Sequence, residues 1–278
     1  MKIAFFIIAF FLVTKFSFAQ EIEDLSKEDT HPILSDKFMF NTGIYFSTKF
    51  LKIGVNGQGQ NEAIDFNEAF DLNNNEVTFF FNFIWKFSKK WSLSAEYFSI
   101  RNGNKWELEE DIYWGDVTFK EGSDVKVGFG LDMYRIFVGR SLLQRQHHDF
   151  GVGLGVHDLQ ISAYITGNAY INDDEYNFEK KSISVNAPLP NIGFWYFYAP
   201  NSKWGLSYKL DWFGLTVGEY SGSLWNVAPS VNYQVFKHVG LGLSYRYFKF
   251  TAKVNKQNWD GRFDMVFHGP LFSISGNF

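Results

Sequence analysis

Apolar and polar residues alternate along most of the chain with a period of two, which is the spacing of an amphipathic β-strand. The clearest example is EVTFFFNFIWKF at 76–87, where Glu76, Asn82 and Lys86 share one face. The opposite face carries Val77, Phe79, Phe81, Phe83, Trp85 and Phe87. Because large aromatic side chains bound this apolar row, the pattern is typical of a lipid-facing band with interfacial girdles rather than of a soluble sandwich.

The same alternation recurs in ten segments. It predicts an all-β chain folded as a single transmembrane antiparallel up-and-down β-barrel of ten strands, with eight or twelve strands as alternatives. Short connections are expected at 88–90, 141–148, 199–203 and 236–239. Long ones are expected at 54–75, 102–124 and 166–184. Periplasmic turns and external loops differ in this way, and the long connections still alternate, so we expect hairpins that project beyond the membrane.

Three positions interrupt the regular pattern. The apolar phase set by Val127, Phe129 and Leu131 changes near Asp132, which predicts a β-bulge. Pro229 and Pro270 fall inside predicted strands. Since a closed barrel has no edge strand, each proline predicts a bulge or a local break in strand pairing.

The first residues read as an export signal. Lys2 precedes an uncharged apolar stretch, and Ser17 and Ala19 supply small residues before a cleavage site at Gln20. The sequence therefore predicts a signal peptide at 1–19, a periplasmic N-terminal tail at 20–35 and the barrel at 36–278. The predicted location is the outer membrane of a Gram-negative bacterium, with outer-membrane lipid and lipopolysaccharide as partners.

Composition agrees with a membrane barrel. Aromatic residues make up 20% of the chain, yet its mean hydropathy is only −0.18, as expected when an apolar outer face alternates with a polar lumen. The chain has no cysteine. Without residues 1–19 it carries 24 basic and 30 acidic residues, and this net charge of −6 argues against a nucleic-acid partner.

The last strand also has a regular outward row. Phe272, Ile274, Gly276 and Phe278 alternate with polar residues, which places them on the predicted lipid-facing side. Terminal strands of this form resemble the signal that the barrel-assembly machinery recognises, so we expect that machinery as a partner during biogenesis.

Charged residues at predicted lumen positions are the candidate functional set. They are Glu96, Lys126, Asp132, Arg135, His157, Lys209, Asp211 and Arg246. Both signs of charge are present, and barrels of this size are filled by side chains, which favours a packed ion-pair network. A narrow solute path and a catalytic site are the alternatives.

Nothing in the sequence identifies catalytic residues, a metal site or a cofactor. His157 and Asp158 are adjacent, so on a strand they point to opposite faces. His147, His148 and Asp149 fall in a predicted turn and lack the spacing of a complete metal site.

Several stretches resemble a family of uncharacterised bacterial outer-membrane β-barrel proteins, loosely related to the small OmpA/OmpW-like barrels. They are EVTFFFNFIWKFSKKWSLSAEYFSI, WGDVTFKEGSDV, APLPNIGFWYFYAPNSKWGLSYKLDWF and GEYSGSLWNVAPSVNYQVFKHVGLGLSYRYFKF. The resemblance implies the fold and the location, and it supplies no catalytic residues. The sequence thus predicts a non-enzymatic outer-membrane barrel with a structural or transport-related role. Its alternatives are a narrow, porin-like channel for small solutes and an enzyme acting on lipid A or peptides at the outer rim.

Overall fold

The structure is a computed structural model. It describes residues 30–56, 64–65, 76–108, 111–114, 117–171, 174–256 and 259–278. The predicted signal peptide and residues 20–29 of the predicted tail lie outside the described residues.

Ten long antiparallel strands form a closed barrel, which confirms the predicted fold class and strand number. The long strands are β1 (Phe38–Asn56), β3 (Glu76–Trp85), β4 (Trp91–Glu107), β7 (Asp124–Gln144), β8 (His148–Ile171), β9 (Asp174–Tyr198), β10 (Trp204–Val217), β11 (Tyr220–Phe236), β12 (Val239–Lys256) and β13 (Trp259–Asn277). Short additional strands are β2 (Ile64–Asp65), β5 (Ile112–Trp114) and β6 (Val117–Phe119). Pairing of β1 with β13 closes the ring.

The two ends of the barrel differ as predicted. Short turns join β3 to β4, β7 to β8, β9 to β10 and β11 to β12 at one end, which we call the lower end. At the upper end β8 and β9 remain paired as far as Ile171 and Asp174, and β5 pairs with β6. These are the expected projecting hairpins. In the described ranges, no helix has the length and apolarity needed to cross a membrane.

A short helix, α1 (Pro32–Ser35), lies in the last part of the predicted N-terminal tail. His31 caps this helix, because its Nδ1 accepts a hydrogen bond from the Ile33 amide at 3.2 Å. Leu34 is buried and packs with Phe197 and Ala199 near the lower end of the barrel. The helix therefore belongs to the folded barrel.

The polarity of the two barrel faces reverses partway up most of the long strands. The exceptions are β1 and β3, where Phe50, Val77 and Phe79 stay exposed on the outer face above the level of the reversal. β8 shows the reversal clearly. Near the lower end Leu154 and Val156 are exposed on the outer face, while Gly-rich positions face inward. Above His157 the exposed residue is Gln160, and the inward residues are Leu159 and Ile161. Alternation of the backbone continues throughout, because β8 pairs with β7 without a register shift over this stretch.

Other strands reverse at the same level. Inward residues immediately above it are Phe98 in β4, Met133 in β7, Leu189 in β9, Phe213 in β10, Leu224 in β11 and Phe248 in β12. They join a buried apolar cluster that fills the upper half of the barrel. On these strands the lower half thus has an apolar outside and a polar inside, and the upper half has the opposite arrangement.

The phase change near Asp132 is part of this reversal, and the predicted bulge there is wrong. Odd-numbered residues of β7 face inward from Val125 to Gly139, and the pairing with β4 and β8 is continuous past Asp132. The register shift in the β7–β8 pairing lies between Ser141 and Leu143 instead.

Both prolines interrupt a ladder locally, as predicted. Next to Pro229, the β11–β12 pairing passes directly from Val227 to Ser230. Next to Pro270, the β1–β13 pairing passes from Leu271 to His268. Neither break carries a register shift, so each proline removes hydrogen bonds without adding a bulge.

Candidate functional site

A layer of paired charges crosses the barrel at the level where its polarity reverses. We call this layer the polar ring, and it consists of Glu96, Arg135, His157, Asn191, Lys209, Asp211, Asn226 and Arg246. Glu96 is its first centre. The Glu96 carboxylate accepts from the Arg246 guanidinium at 2.6 Å through Oε1 and from Lys209 Nζ at 2.7 Å through Oε2. These contacts join β4, β10 and β12 across the interior.

Asp211 is the second centre. Its Oδ1 accepts from the Arg135 guanidinium at 2.6 Å, and its Oδ2 accepts from the Asn226 amide at 2.9 Å. His157 lies beside it, with Nε2 at 3.7 Å from Oδ2, and donates through Nδ1 to Asn191 Oδ1 at 3.1 Å. All five side chains are buried.

The ring carries an excess of positive charge. Three cations, Arg135, Lys209 and Arg246, face two carboxylates, Glu96 and Asp211. Buried charges require such pairing, because an unpaired charge loses its hydration without compensation. Both arginines also lie over aromatic rings: Arg135 is 4.3 Å from the Phe137 centroid, and Arg246 is 4.8 Å from that of Phe80.

The structure brings together six of the eight residues predicted for the lumen. The other two, Lys126 and Asp132, lie on the outer face of β7, which corrects that part of the prediction. Asp132 instead pairs with Arg101, whose side chain is 59% exposed. The error follows from the assignment of Val127, Phe129 and Leu131 to the outer face, because these three residues are buried inside the barrel.

Sequence reasoning missed Asn191 and Asn226, which complete the ring. Asn191 lies immediately below the inward Leu189, and Asn226 lies immediately below the inward Leu224. Both asparagine side chains point into the barrel, as the predicted charges of the ring do. The available signal was this shared phase, because on β4 and on β7 to β12 the inward polar residues give way to apolar ones at one level.

Below the polar ring lies a cavity of about 230 Å³. One side of its wall is rich in hydroxyl and amide groups from β10 to β13: Ser207, Ser230, Asn232, Ser244 and Ser273. Lys209 reaches it from above and keeps 24% of its side chain exposed, against 4% or less for Glu96 and both ring arginines.

Aromatic rings form the other side of the cavity. Phe137 and Trp195 meet edge to face with centroids 6.1 Å apart, and Phe197 lies below them. Trp195 fits against the wall because Gly139 and Gly151 have no side chain; a Cβ at either position would overlap its ring. The inward glycines of β7 and β8 thus make room for the Trp195 ring.

The segment around α1 partly covers the lower end of the cavity. Ile33 lines it, and Lys86 Nζ donates to the carbonyls of Ile33 at 2.6 Å and Leu34 at 2.8 Å. Burial lowers the pKa of Lys86 below its ordinary value, an effect that nearby Asp149 opposes. Burial also lowers the pKa of His31 to about 4.

The placement of the histidines is informative, because all six lie in the described part of the chain. Four are at the lower end, one is in the polar ring and one is on the outer face: His31, His147, His148, His238, His157 and His268, in that order. In the three-residue run His147–Asp149 each side chain has a different partner: the Ala199 carbonyl, the Tyr196 hydroxyl and the Trp195 indole. Within the described ranges, no group of three His, Asp or Glu residues is arranged to hold a metal ion.

No family model and no curated protein matches the chain. Among solved structures, the outer membrane protease OmpT from Escherichia coli is similar with a TM-score of 0.56 and 13% identity, over 92% of this chain and 99% of that one. The toluene transporter TodX of P. putida has a TM-score of 0.35 and 9% identity, over 89% and 91% of the two chains. A Pseudomonas aeruginosa FadL homologue has a TM-score of 0.36 and 10% identity, over 87% and 90%. The likeness to OmpT shows that this chain has the fold of outer-membrane β-barrels.

Proposed function

We propose that this protein is an integral barrel of the bacterial outer membrane that does not conduct solutes and is not an enzyme. In this proposal its lower half spans the bilayer with the lower end toward the periplasm, and its upper half stands outside. Its role is structural or transport-related, on the periplasmic side.

The outer face of the lower half supports the membrane assignment. On β7 the outward residues Val138, Ile136 and Tyr134 are all at least 40% exposed. Arg140 bounds them below, where it lies 5.7 Å from the ring centroid of Trp91, and Asp132 bounds them above. The eight-residue step from Asp132 to Arg140 rises about 20 Å on a tilted strand, which suits a bilayer core matched to an outer-membrane barrel.

The single observation that carries the non-conducting proposal is the filling of the interior. The polar ring joins β4, β7, β10 and β12 by ion pairs, and the apolar cluster covers it from above. A solute would have to break buried ion pairs and then cross a packed apolar core, and both steps are costly.

The non-enzymatic part of the proposal assigns no histidine to catalysis at the upper rim. The six histidines lie at the lower end, in the ring or on the outer face, so none stands at the upper rim as a general base. The likeness to OmpT is a likeness of fold, and it supplies no residue of this chain with a catalytic role.

The last strand has the outward row that the proposed assembly signal requires. Phe272, Ile274 and Phe278 are each more than half exposed on the outer face. We include recognition by the barrel-assembly machinery, and contact with outer-membrane lipid and lipopolysaccharide, in the proposal.

Planar-bilayer recording tests the proposal. Protein that shows the heat-modifiable gel shift of a folded barrel is added to the bilayer, and we expect no single-channel steps. Regular steps that depend on the amount of folded protein would contradict a closed lumen and favour the narrow channel.

A further inference from the structure

We infer that the cavity below the polar ring binds a small organic anion with an aromatic or apolar body. Its anionic group lies at Lys209, and its body lies on the Phe137 and Trp195 rings. This inference rests on the proposed function only for the side from which the ligand arrives, because the cavity faces the lower end.

Charge around the cavity specifies an anion. The chain is acidic as a whole, yet six cations and two carboxylates line this one cavity. Asp211 does not line it but pairs with Arg135, and counting it still leaves three positive charges in excess. An anion inside the cavity would reduce this excess, and enclosed sites strengthen such attraction relative to bulk water.

Lys209 is the ring cation available to a ligand. Arg135 and Arg246 are both buried and each is committed to a carboxylate, whereas Lys209 shares Glu96 with Arg246 and remains 24% exposed. The Lys209 ammonium has three donors, of which the contact with Glu96 occupies one. A ligand carboxylate can therefore bind Lys209 without breaking the ring.

The aromatic side of the cavity specifies the rest of the ligand. Glycines pack against both Phe137 and Trp195, and the two rings line the cavity edge to face. The opposite side offers serine hydroxyls and the Asn232 amide. At about 230 Å³ the cavity lies below the usual range for drug-sized ligands, so it selects a compact molecule such as a short aryl or alkyl carboxylate.

Binding of hydrocinnamate and of its neutral amide, hydrocinnamamide, to the full chain in lipid nanodiscs tests the inference. We expect saturable calorimetric binding of hydrocinnamate with a Kd below about 1 mM, and binding of the amide weaker by about tenfold or more. Lys209→Met should remove this preference, because the side chain keeps its bulk and loses its charge. Its matched control is Lys237→Met, a change at an exposed turn outside the cavity, which should leave binding unchanged.

Ser244→Leu fills the polar side of the cavity and should abolish binding of both compounds while the heat-modifiable shift remains. The inference is overturned by absence of saturable binding to folded wild-type protein, by equal affinities for acid and amide, or by binding that both cavity variants leave intact. A barrel that conducts ions yet binds hydrocinnamate in the expected way would overturn the closed-lumen proposal and leave this inference standing.

Discussion

On most strands of the barrel the apolar side chains point outward in the lower half and inward in the upper half. β8 shows both arrangements within one continuous strand, with Val156 exposed outside and Leu159 buried inside. The backbone hydrogen bonds are the same in both halves, so strand pairing alone does not decide which face is apolar. The solvent on each side decides it, because each apolar row is placed away from water.

The polar ring occupies the boundary between these arrangements. Its ion pairs connect strands on opposite sides of the barrel, such as β7 and β10 through Arg135 and Asp211. The apolar cluster excludes water from the upper side of the ring, which strengthens each pair but also raises the cost of removing one partner. The two halves should consequently respond in opposite ways to the same kind of substitution.

A carboxylate placed inside the upper half should have the largest effect. Leu131→Asp replaces a fully buried leucine in the apolar cluster, so it loses apolar burial and buries an unpaired charge. We expect a loss of more than about 5 kcal/mol, enough to prevent folding. The heat-modifiable gel shift measures this. Lys126→Asp, on the outer face of the same strand, is the control and should fold normally.

Removal of the shared carboxylate of the ring should come next. Glu96→Gln removes the negative charge that Arg246 and Lys209 share and replaces one of the two acceptor oxygens by an NH2 donor. We expect a loss of about 3–5 kcal/mol in the free energy of unfolding by urea in lipid vesicles. Lys209→Met keeps the Glu96–Arg246 and Arg135–Asp211 pairs and removes the charge excess, so it should cost far less. Equal stability of Glu96→Gln and wild type would show that the ring is solvated rather than sealed.

A cation on the outer face should separate the two halves directly. Ile136→Arg places a charge within the apolar band of the lower half and should cost about 2–4 kcal/mol near the bilayer midplane. Gln160→Arg makes a similar change on the exposed outer face of the upper half and should remain within about 0.5 kcal/mol. Urea unfolding in lipid vesicles measures the free energy of unfolding of both variants. Similar losses at the two sites would contradict the distinction between the two halves.

The smallest effect is expected at the lower end, where pH acts on the segment around α1. Burial holds the pKa of His31 near 4, below the ordinary 6.5, so the released segment takes up a proton first. Docking should therefore be strongest above pH 6.5 and should weaken as pH falls toward 4. Protonation also removes the acceptor for the Ile33 amide.

A fluorophore on Ser35→Cys reports this release, since the chain has no other cysteine. In a His31→Asn background the asparagine side chain still supplies the acceptor that caps α1, but it does not take up a proton in this pH range. The change in fluorescence between pH 6.5 and pH 4 should therefore disappear. If it persists, another group controls the segment.

The sequence predicts the barrel well because two-residue alternation, short turns and strand number are local signals. It predicts six ring residues for the same reason, since their inward phase is set by apolar neighbours such as Leu93 and Leu210 on the opposite face. It misplaces Asp132 because a change of apolar phase has two physical causes, a bulge or a change of surroundings, and one strand alone does not distinguish them. A comparison of β4, β8 and β12, which all change phase at a similar depth, would have indicated the second cause.

The cavity was not predictable from the sequence. It depends on the packing of Trp195 over Gly139 and Gly151. These three residues lie on β9, β7 and β8, and the register of strand pairing brings them together. It also depends on α1, a four-residue helix whose position is fixed by long-range contacts with Lys86 rather than by its own sequence pattern.

Accessibility scanning along the outer face of β8 tests the reversal of polarity most directly. Single cysteines at Val152, Leu154, Val156, Asp158, Gln160 and Ser162 carry spin labels in lipid bilayers, and collisions with oxygen and with a water-soluble nickel complex are compared. We predict that oxygen dominates up to Val156 and the nickel complex dominates from Asp158 upward. Oxygen dominance that continues through Ser162 would contradict the account, because the upper half would then lie in lipid.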